Sequence, residues 1–333
     1  MPLQGEIIRL GDSPRALIIK PSSLGDIIHS LPFLYAFKKR YPLSSLHWAV
    51  FKGLEGILEG HPLIDNLIVI DKSGFSNPLA FPFKAFSLRA ELRYHSYDIA
   101  VDLQGLFRSA LVSALSSAPI RAGFCDAREG SPFFYTHSIK GGKDIHAVDR
   151  YMKIAGMLDC DTSAIEFPMV HDECRPPFDG EYAVLVPGAR WETKRWSAEN
   201  FGRLASMLPV RSVVVGGKDD IEAGDTVAAL SDGRCVNMAG KTSLRELSGL
   251  VKNARYAVTN DTGPMHIAAA HSVRVFAVFG PTSPLRTGPY GQGHVIITPD
   301  IPCSPCYKRN CDDLKCMASI TPRKVLEAIS LNS

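Results

Sequence analysis

Three short polar stretches carry residue types suited to chemistry on an anionic substrate. The first runs from Tyr256 to Ala270 and reads YAVTNDTGPMHIAAA. Tyr256 to Thr259 has the character of a short strand, and Met265 onward that of an apolar helix. Between them stand Asn260, Asp261, Thr262, Gly263 and Pro264. Asp or Thr is a good N-cap, and Pro suits a first helical turn because its missing N–H would be an orphan there anyway. Free N–H groups and the positive end of the helix dipole then converge on one point, which makes an anion site. Gly263 lets a ligand approach the backbone closely. The competing reading is an ordinary strand-to-helix turn of an α/β domain.

The second stretch is Pro21-Ser22-Ser23-Leu24-Gly25-Asp26, which follows the apolar run RALIIK (Arg15 to Lys20). A carboxylate in a first helical turn can simply be stabilised by the dipole. The same placement at the carboxyl edge of a sheet suits a general base. The third is PGARWETKRW, Pro187 to Trp196, in which Arg190, Lys194 and Arg195 follow a strand end. Their charge-assisted hydrogen bonds would steady a departing diphosphate. A solvated basic loop is the plainer alternative.

The surrounding pattern dictates what positions these stretches. Arg15 to Lys20 is a buried parallel strand by its short apolar run. The stretch after Asp26 has helical spacing, and Pro32 within it predicts a kink or a restart. Leu46 to Phe51, Asn66 to Ile70 and Tyr97 to Asp102 read as strands, alternating with helices over Lys84 to Tyr94 and Leu106 to Ser116. That rhythm specifies a doubly wound parallel sheet. A polar break with a Pro-Pro pair, HDECRPPFDG, covers His171 to Gly180. The rhythm then restarts with strands over Tyr182 to Val186, Ser212 to Val215 and Val273 to Phe279. The helices of this half fall over Ala198 to Met207, Ile221 to Leu230 and Leu244 to Val251. Two similar α/β domains, 1–172 and 178–320, are expected. Ligands in such sheets bind at the carboxyl ends of the strands, so two domains facing each other make a cleft there.

PSSLGDIIHSLP, PGARWETKRW and NDTGPMHIAAA, in this order and spacing, resemble the bacterial lipopolysaccharide heptosyltransferases, glycosyltransferase family 9. The resemblance runs from Arg15 to about Val325. DLQGLFRSALVS and HAVDRYMKIAG resemble the heptosyltransferase I branch most, whereas PGARWETKRW and the C-terminal Cys segment resemble other branches. The resemblance implies a GT-B architecture: two Rossmann-like doubly wound domains facing across a cleft. It also implies an N-terminal acceptor-binding domain, a C-terminal nucleotide-sugar-binding domain, and a C-terminal helix (321–333) packing back on the first. The implied reaction moves L-glycero-D-manno-heptose from ADP-heptose, with inversion and no catalytic metal or cofactor, to the Kdo inner core of lipopolysaccharide. Heptosyltransferase II, or another core-heptose transferase, is the alternative. By position, Asp26 matches the base and Lys194 the lysine that stabilises the diphosphate. Asp261, Thr262, Gly263 and His266 match the donor loop. Glu222 and Thr242 fall where nucleoside contacts are expected, and Ala189 and Arg190 stand where heptosyltransferase I has hydroxyl residues. Ser22, Ser23, Arg108 and Arg128 are the acceptor candidates, the arginines for Kdo carboxylates or lipid A phosphates.

Four cysteines, Cys303, Cys306, Cys311 and Cys316, form C-x2-C-x4-C-x4-C. This spacing is compact enough for a four-thiolate zinc site, with free thiols as the alternative. Phe75, Phe81, Phe83 and Phe86, spaced around Pro78 and Pro82, suit a lip touching a membrane or, equally, a core.

Composition narrows the field. Lys+Arg 37 against Asp+Glu 34 gives +3, too little to argue for nucleic acid. No apolar run reaches the roughly 18 residues of a membrane span. The start lacks a signal peptide's apolar core, so a cytoplasmic protein with reduced thiols is expected; with the resemblance goes the expectation of a monomer peripheral to the inner membrane. A dinucleotide-dependent oxidoreductase is disfavoured because PSSLGD has one Gly and a carboxylate where G-x-G-x-x-G would hold a pyrophosphate. A non-catalytic nucleotide-sugar binder has no need of both Asp26 and Lys194.

Overall fold

The computed structural model describes residues 3–72 and 81–332. The chain forms two compact units, Met1–Val170 and His171–Ser333, which meet in the polar break. Strands of the first unit are β1 (Leu3–Gln4), β2 (Arg15–Ile19), β3 (Ser45–Phe51), β4 (Asn66–Ile70), β5 (Ile99–Asp102), β6 (Ile120–Phe124) and β7 (His137–Ile139). Among the described residues they pair in parallel in the order β1-β7-β6-β5-β2-β3-β4. Helices α1 (Leu24–His29), α2 (Leu31–Arg40), α3 (Phe81–Tyr94), α4 (Phe107–Leu115) and α5 (Ala147–Met157) supply the crossovers and covering layers.

Strands buried on both faces read as apolar runs rather than alternations, which is why RALII is a strand. Leu17, Ile18 and Ile19 are fully buried, and Leu17 and Ile19 pack with Ala49, Ile68 and Val112. Each such side chain stabilises the fold by about 1.5–3 kcal/mol. Pro32 marks a restart: α1 stops at His29, and Pro32 lies in the first turn of α2, where its ring breaks no hydrogen bond. The chain order reverses between β2 and β5, so the loops leaving these two strands lie side by side at their carboxyl ends.

The second unit repeats the plan with β8 (Tyr182–Val186), β9 (Arg211–Val214), β10 (Cys235–Asn237), β11 (Tyr256–Asn260), β12 (Arg274–Val278) and β13 (Val295–Ile297). Their order is β10-β9-β8-β11-β12-β13, again all parallel. The helices are α6 (Ala198–Met207), α7 (Ile221–Ala229), α8 (Leu244–Lys252), α9 (Gly263–Ala270), α10 (Pro284–Thr287), α11 (Lys315–Ala318) and α12 (Pro322–Leu331). Here the order reverses between β8 and β11. The helix α12, which the resemblance sends back to the first domain, buries Val325 and Ile329 in the core of the second unit, with Trp196, Phe201 and Ile320. These two residues are one turn apart on a single stripe, which this core takes up.

Candidate functional site

In the first unit, the loop after β2 carries Asp26 into the first turn of α1. Asp26 Oδ2 accepts hydrogen bonds from the Ser23 N–H (3.1 Å) and the Ser23 hydroxyl (2.9 Å). The stabilising role at a helix start is thus real. The carboxylate nevertheless keeps a third of its surface open, and Oδ1 lies 3.9 Å from the ammonium of Lys20, which is 2% exposed. Burial pushes the Lys20 ammonium down. Asp26, Tyr151 and Asp102 together push it up by more, so it sits above the ordinary lysine value. Its Nζ also lies 4.9 Å from the centre of the Tyr151 ring.

Next to this loop, Asp102 ends β5. Burial lifts its carboxyl above the ordinary value, opposed by donors that include the Gly105 N–H (3.0 Å), Tyr135 hydroxyl (2.7 Å) and Ser109 hydroxyl (2.8 Å). The bonds to Gln104 and Gly105 N–H fix the β5 loop beside Asp26. Ser22 is half-buried and Ser23 exposed in the β2 loop. Arg108 is exposed in the first turn of α4, and Arg128 is exposed on a loop tied to Gly105 by its N–H (3.1 Å).

In the second unit, the loops after β8 and β11 meet at the other reversal point. Lys194 Nζ lies 2.5 Å from Asp261 Oδ2, and the Thr282 hydroxyl donates to the same oxygen at 2.7 Å. Asn260 locks the two loops together: its side chain accepts from the Trp196 N–H (3.0 Å) and donates to the Pro187 carbonyl (2.7 Å). Lys194 also stands over the Trp191 ring, 4.6 Å from its centre. Thr262 takes the N-cap position of α9, Gly263 begins the helix, and Pro264 lies in its first turn. Asp261 therefore orients Lys194; Pro264 has no N–H and the Met265 N–H donates to the Thr262 carbonyl (3.2 Å), so the Thr262 and Gly263 N–H groups are the ones left for a ligand. Ala189 is buried and its carbonyl accepts from Arg195 Nε (2.9 Å), while Arg190 is exposed. His266 is buried on α9.

The nucleoside candidates sit farther out. Glu222 is exposed in the first turn of α7, after β9, and Thr242 precedes α8, after β10. A link to the Lys194 loop runs through Asp220. A Cβ on Gly188 would collide with its carboxylate, which also accepts from the Gly217 N–H at 2.9 Å. Lys20, Asp102, Asp220 and Thr282 were not among the residues singled out from sequence. A charge ending an apolar strand was the available signal for Lys20 and Asp102; none marked Thr282.

The four C-terminal cysteines form no disulfide: Cys303 and Cys311 are exposed, Cys306 half-buried and Cys316 buried. Among the described residues no three His, Cys, Asp or Glu side chains converge as metal ligands would. Phe75 and Pro78 lie outside the described residues, as does the side chain of Phe81. Phe83 and Phe86 are exposed, 81% and 75%, so they are not core.

Two parallel sheets, each with polar residues gathered at its reversal point, are what a sugar-nucleotide enzyme of two Rossmann-like domains requires. A model of glycosyltransferase family 9 (heptosyltransferase) matches residues 85–317. The chain belongs to this family. It is 29% identical to lipopolysaccharide heptosyltransferase 1 of Pseudomonas aeruginosa, across 95% of this chain and 98% of that one. Lipooligosaccharide heptosyltransferase 2 of Haemophilus influenzae is 28% identical, across 84% and 87%. A solved Escherichia coli heptosyltransferase, in complex with ADP-2-deoxy-2-fluoro heptose, superposes with a TM-score of 0.79 at 23% identity, covering 96% of this chain and all of that one. The architecture of this glycosyltransferase is accordingly GT-B.

Proposed function

We propose that this glycosyltransferase moves L-glycero-D-manno-heptose from ADP-heptose to Kdo of the lipopolysaccharide inner core, with inversion at the anomeric carbon. The observation that carries the reading is the Lys194–Asp261–Thr282 cluster at the start of α9, an oriented cation beside the Thr262 and Gly263 N–H groups. Such a site suits a nucleoside diphosphate, and the ligand of the Escherichia coli neighbour is of that class. Lys194 and the Thr262 and Gly263 N–H groups take the charge that grows on the bridging oxygen as the sugar–oxygen bond breaks. Asp26 removes the proton from the acceptor hydroxyl as that oxygen attacks the anomeric carbon. Lys20 and Ser23 hold the carboxylate in place for this. Ala189, Arg190, Thr262, Gly263 and His266 bind the donor, with Glu222 and Thr242 toward its nucleoside. Ser22, Ser23, Arg108 and Arg128 bind the acceptor.

The acceptor is a lipid, and the surface of the first unit offers a contact for its membrane. Phe83 and Phe86 are exposed one turn apart on α3, with Lys84 and Arg89 beside them. Apolar rings flanked by cations suit an anionic bilayer surface. Among the described residues no helix is long and apolar enough to cross a membrane, and peripheral association at the cytoplasmic face is the arrangement we propose.

The experiment is transfer from ADP-heptose to Kdo-lipid A, compared with transfer to its heptosylated product. Turnover on the first acceptor is expected. Turnover on the second alone would move the enzyme to the heptosyltransferase II position. In the same assay Asp26→Asn should bind ADP as the parent does and lose about 100-fold or more in rate, the usual cost of losing a general base. A variant at parental rate would place the base elsewhere.

A further inference from the structure

The cation at the centre of the proposed donor site is already spent. Lys194 reaches the diphosphate position in contact with Asp261, so the pair contributes no net charge. Charge that develops on a diphosphate leaving as ADP is stabilised by further cations aimed at its oxygens. A further cation beside this turn comes from a segment that the reaction scheme has not used. The loop between β13 and α11, which carries three of the clustered cysteines, lies against the Trp191 turn. The Thr193 hydroxyl donates to the Lys308 carbonyl at 2.9 Å, and the Tyr307 N–H donates to the Pro281 carbonyl at 2.7 Å. These bonds fix Arg309 with its guanidinium 4.8 Å from the centre of the Trp191 ring, the same indole that Lys194 stands over at 4.6 Å. Arg309 is exposed and, among the described residues, forms no ion pair.

We infer that Arg309 is a further diphosphate-binding cation of this enzyme, held in place by stacking on Trp191 and presenting its open N–H edge to the β-phosphate. This inference rests on reading the Lys194 turn as the diphosphate site. An arginine suits the position because its planar fork stacks on an aromatic face and still donates two parallel hydrogen bonds to a phosphate. The indole holds both cations at short range without neutralising either, which a carboxylate would do. In this arrangement the cysteine loop matters to donor binding through Arg309, whatever the state of its thiols.

Calorimetric titration of ADP and of AMP into the full-length protein tests the inference, since AMP lacks the β-phosphate. Arg309→Gln should weaken ADP binding about 10- to 100-fold, the worth of a charge-assisted hydrogen bond, and change AMP binding by less than about twofold. Arg309→Lys, which keeps the charge and loses the fork, should fall between. Equal weakening for both nucleotides would mean that Arg309 only packs on Trp191 and shapes the loop. Unchanged ADP binding would overturn the inference and leave the Lys194 reading standing. A parent protein that binds ADP no better than AMP would sink both.

Discussion

At the scale of single residues, Asp261 is the one whose chemistry looks wrong for its place, because a carboxylate repels a diphosphate. From sequence, it either caps a helix or orients Lys194. The structure separates these roles: Thr262 takes the N-cap position, and Asp261 Oδ2 holds Lys194 and the Thr282 hydroxyl. A lysine placed beside the bridging oxygen interacts more strongly with the transition state than with bound donor. Lys194→Ala should therefore cost kcat about 10²–10³ and ADP affinity much less. Asp261→Asn keeps an acceptor oxygen for Lys194 and Thr282 while removing the opposing charge. ADP should bind it as tightly as the parent or tighter. Asp261→Ala frees the lysine to wander and should lose ADP affinity. Titrating ADP into both variants decides the matter, and equal weakening in Asn and Ala would show that the loop requires the charge itself.

At the scale of elements, the loops after β8 and β9 approach so closely that Gly188 leaves no room for a side chain. The obstacle is the Asp220 carboxylate, itself fixed by the Gly217 N–H. Gly188→Ala should destabilise the protein by about 1–3 kcal/mol, the cost of overpacking. Adding Asp220→Ala should restore part of that stability, because the two changes share one contact. Denaturant unfolding of the four proteins in this cycle measures the coupling, and simple additivity would mean that the collision is relieved elsewhere. Much of this frame was legible beforehand. Apolar runs identified β2, β3, β4 and β8, and Asp26, Lys194 and Asp261 stood out as charges in the turns that end β2, β8 and β11. The short strands were not legible: LQ in β1, HSI in β7 and CVN in β10 are too brief to show a pattern, and IRAGF in β6 is interrupted by Arg and Gly. Thr282 was hidden for another reason. It meets Asp261 only because β12 lies beside β11, a neighbour relation set by strand order rather than by spacing along the chain.

At the scale of the whole molecule, charge is sparse and local. The formal net charge is +3 across 333 residues, so no general positive field exists to hold a diphosphate. What the second unit has instead is positive groups from several places in the sequence: Lys194 and Arg190 after β8, Arg309 from the cysteine loop, and the Thr262 and Gly263 N–H groups at the start of α9. If these carry the leaving group, its departure needs no divalent ion. Transfer measured after exhaustive EDTA treatment should then run at the untreated rate, and added Mg²⁺ or Mn²⁺ should not raise it. A loss of rate recovered only by those ions would mean that the side chains do not suffice. Zinc behaves differently, because a thiolate-bound structural ion contributes to folding and acts on activity through unfolding. The cysteine loop is held to the Trp191 turn by Thr193 and to Pro281 by Tyr307, bonds that involve no thiol. Circular dichroism of the chelated protein should accordingly match that of the untreated one. If chelation instead lowered the melting temperature and the transfer rate together, and Zn²⁺ alone restored both, the cysteine loop would be a metal-dependent strap holding Arg309 in place.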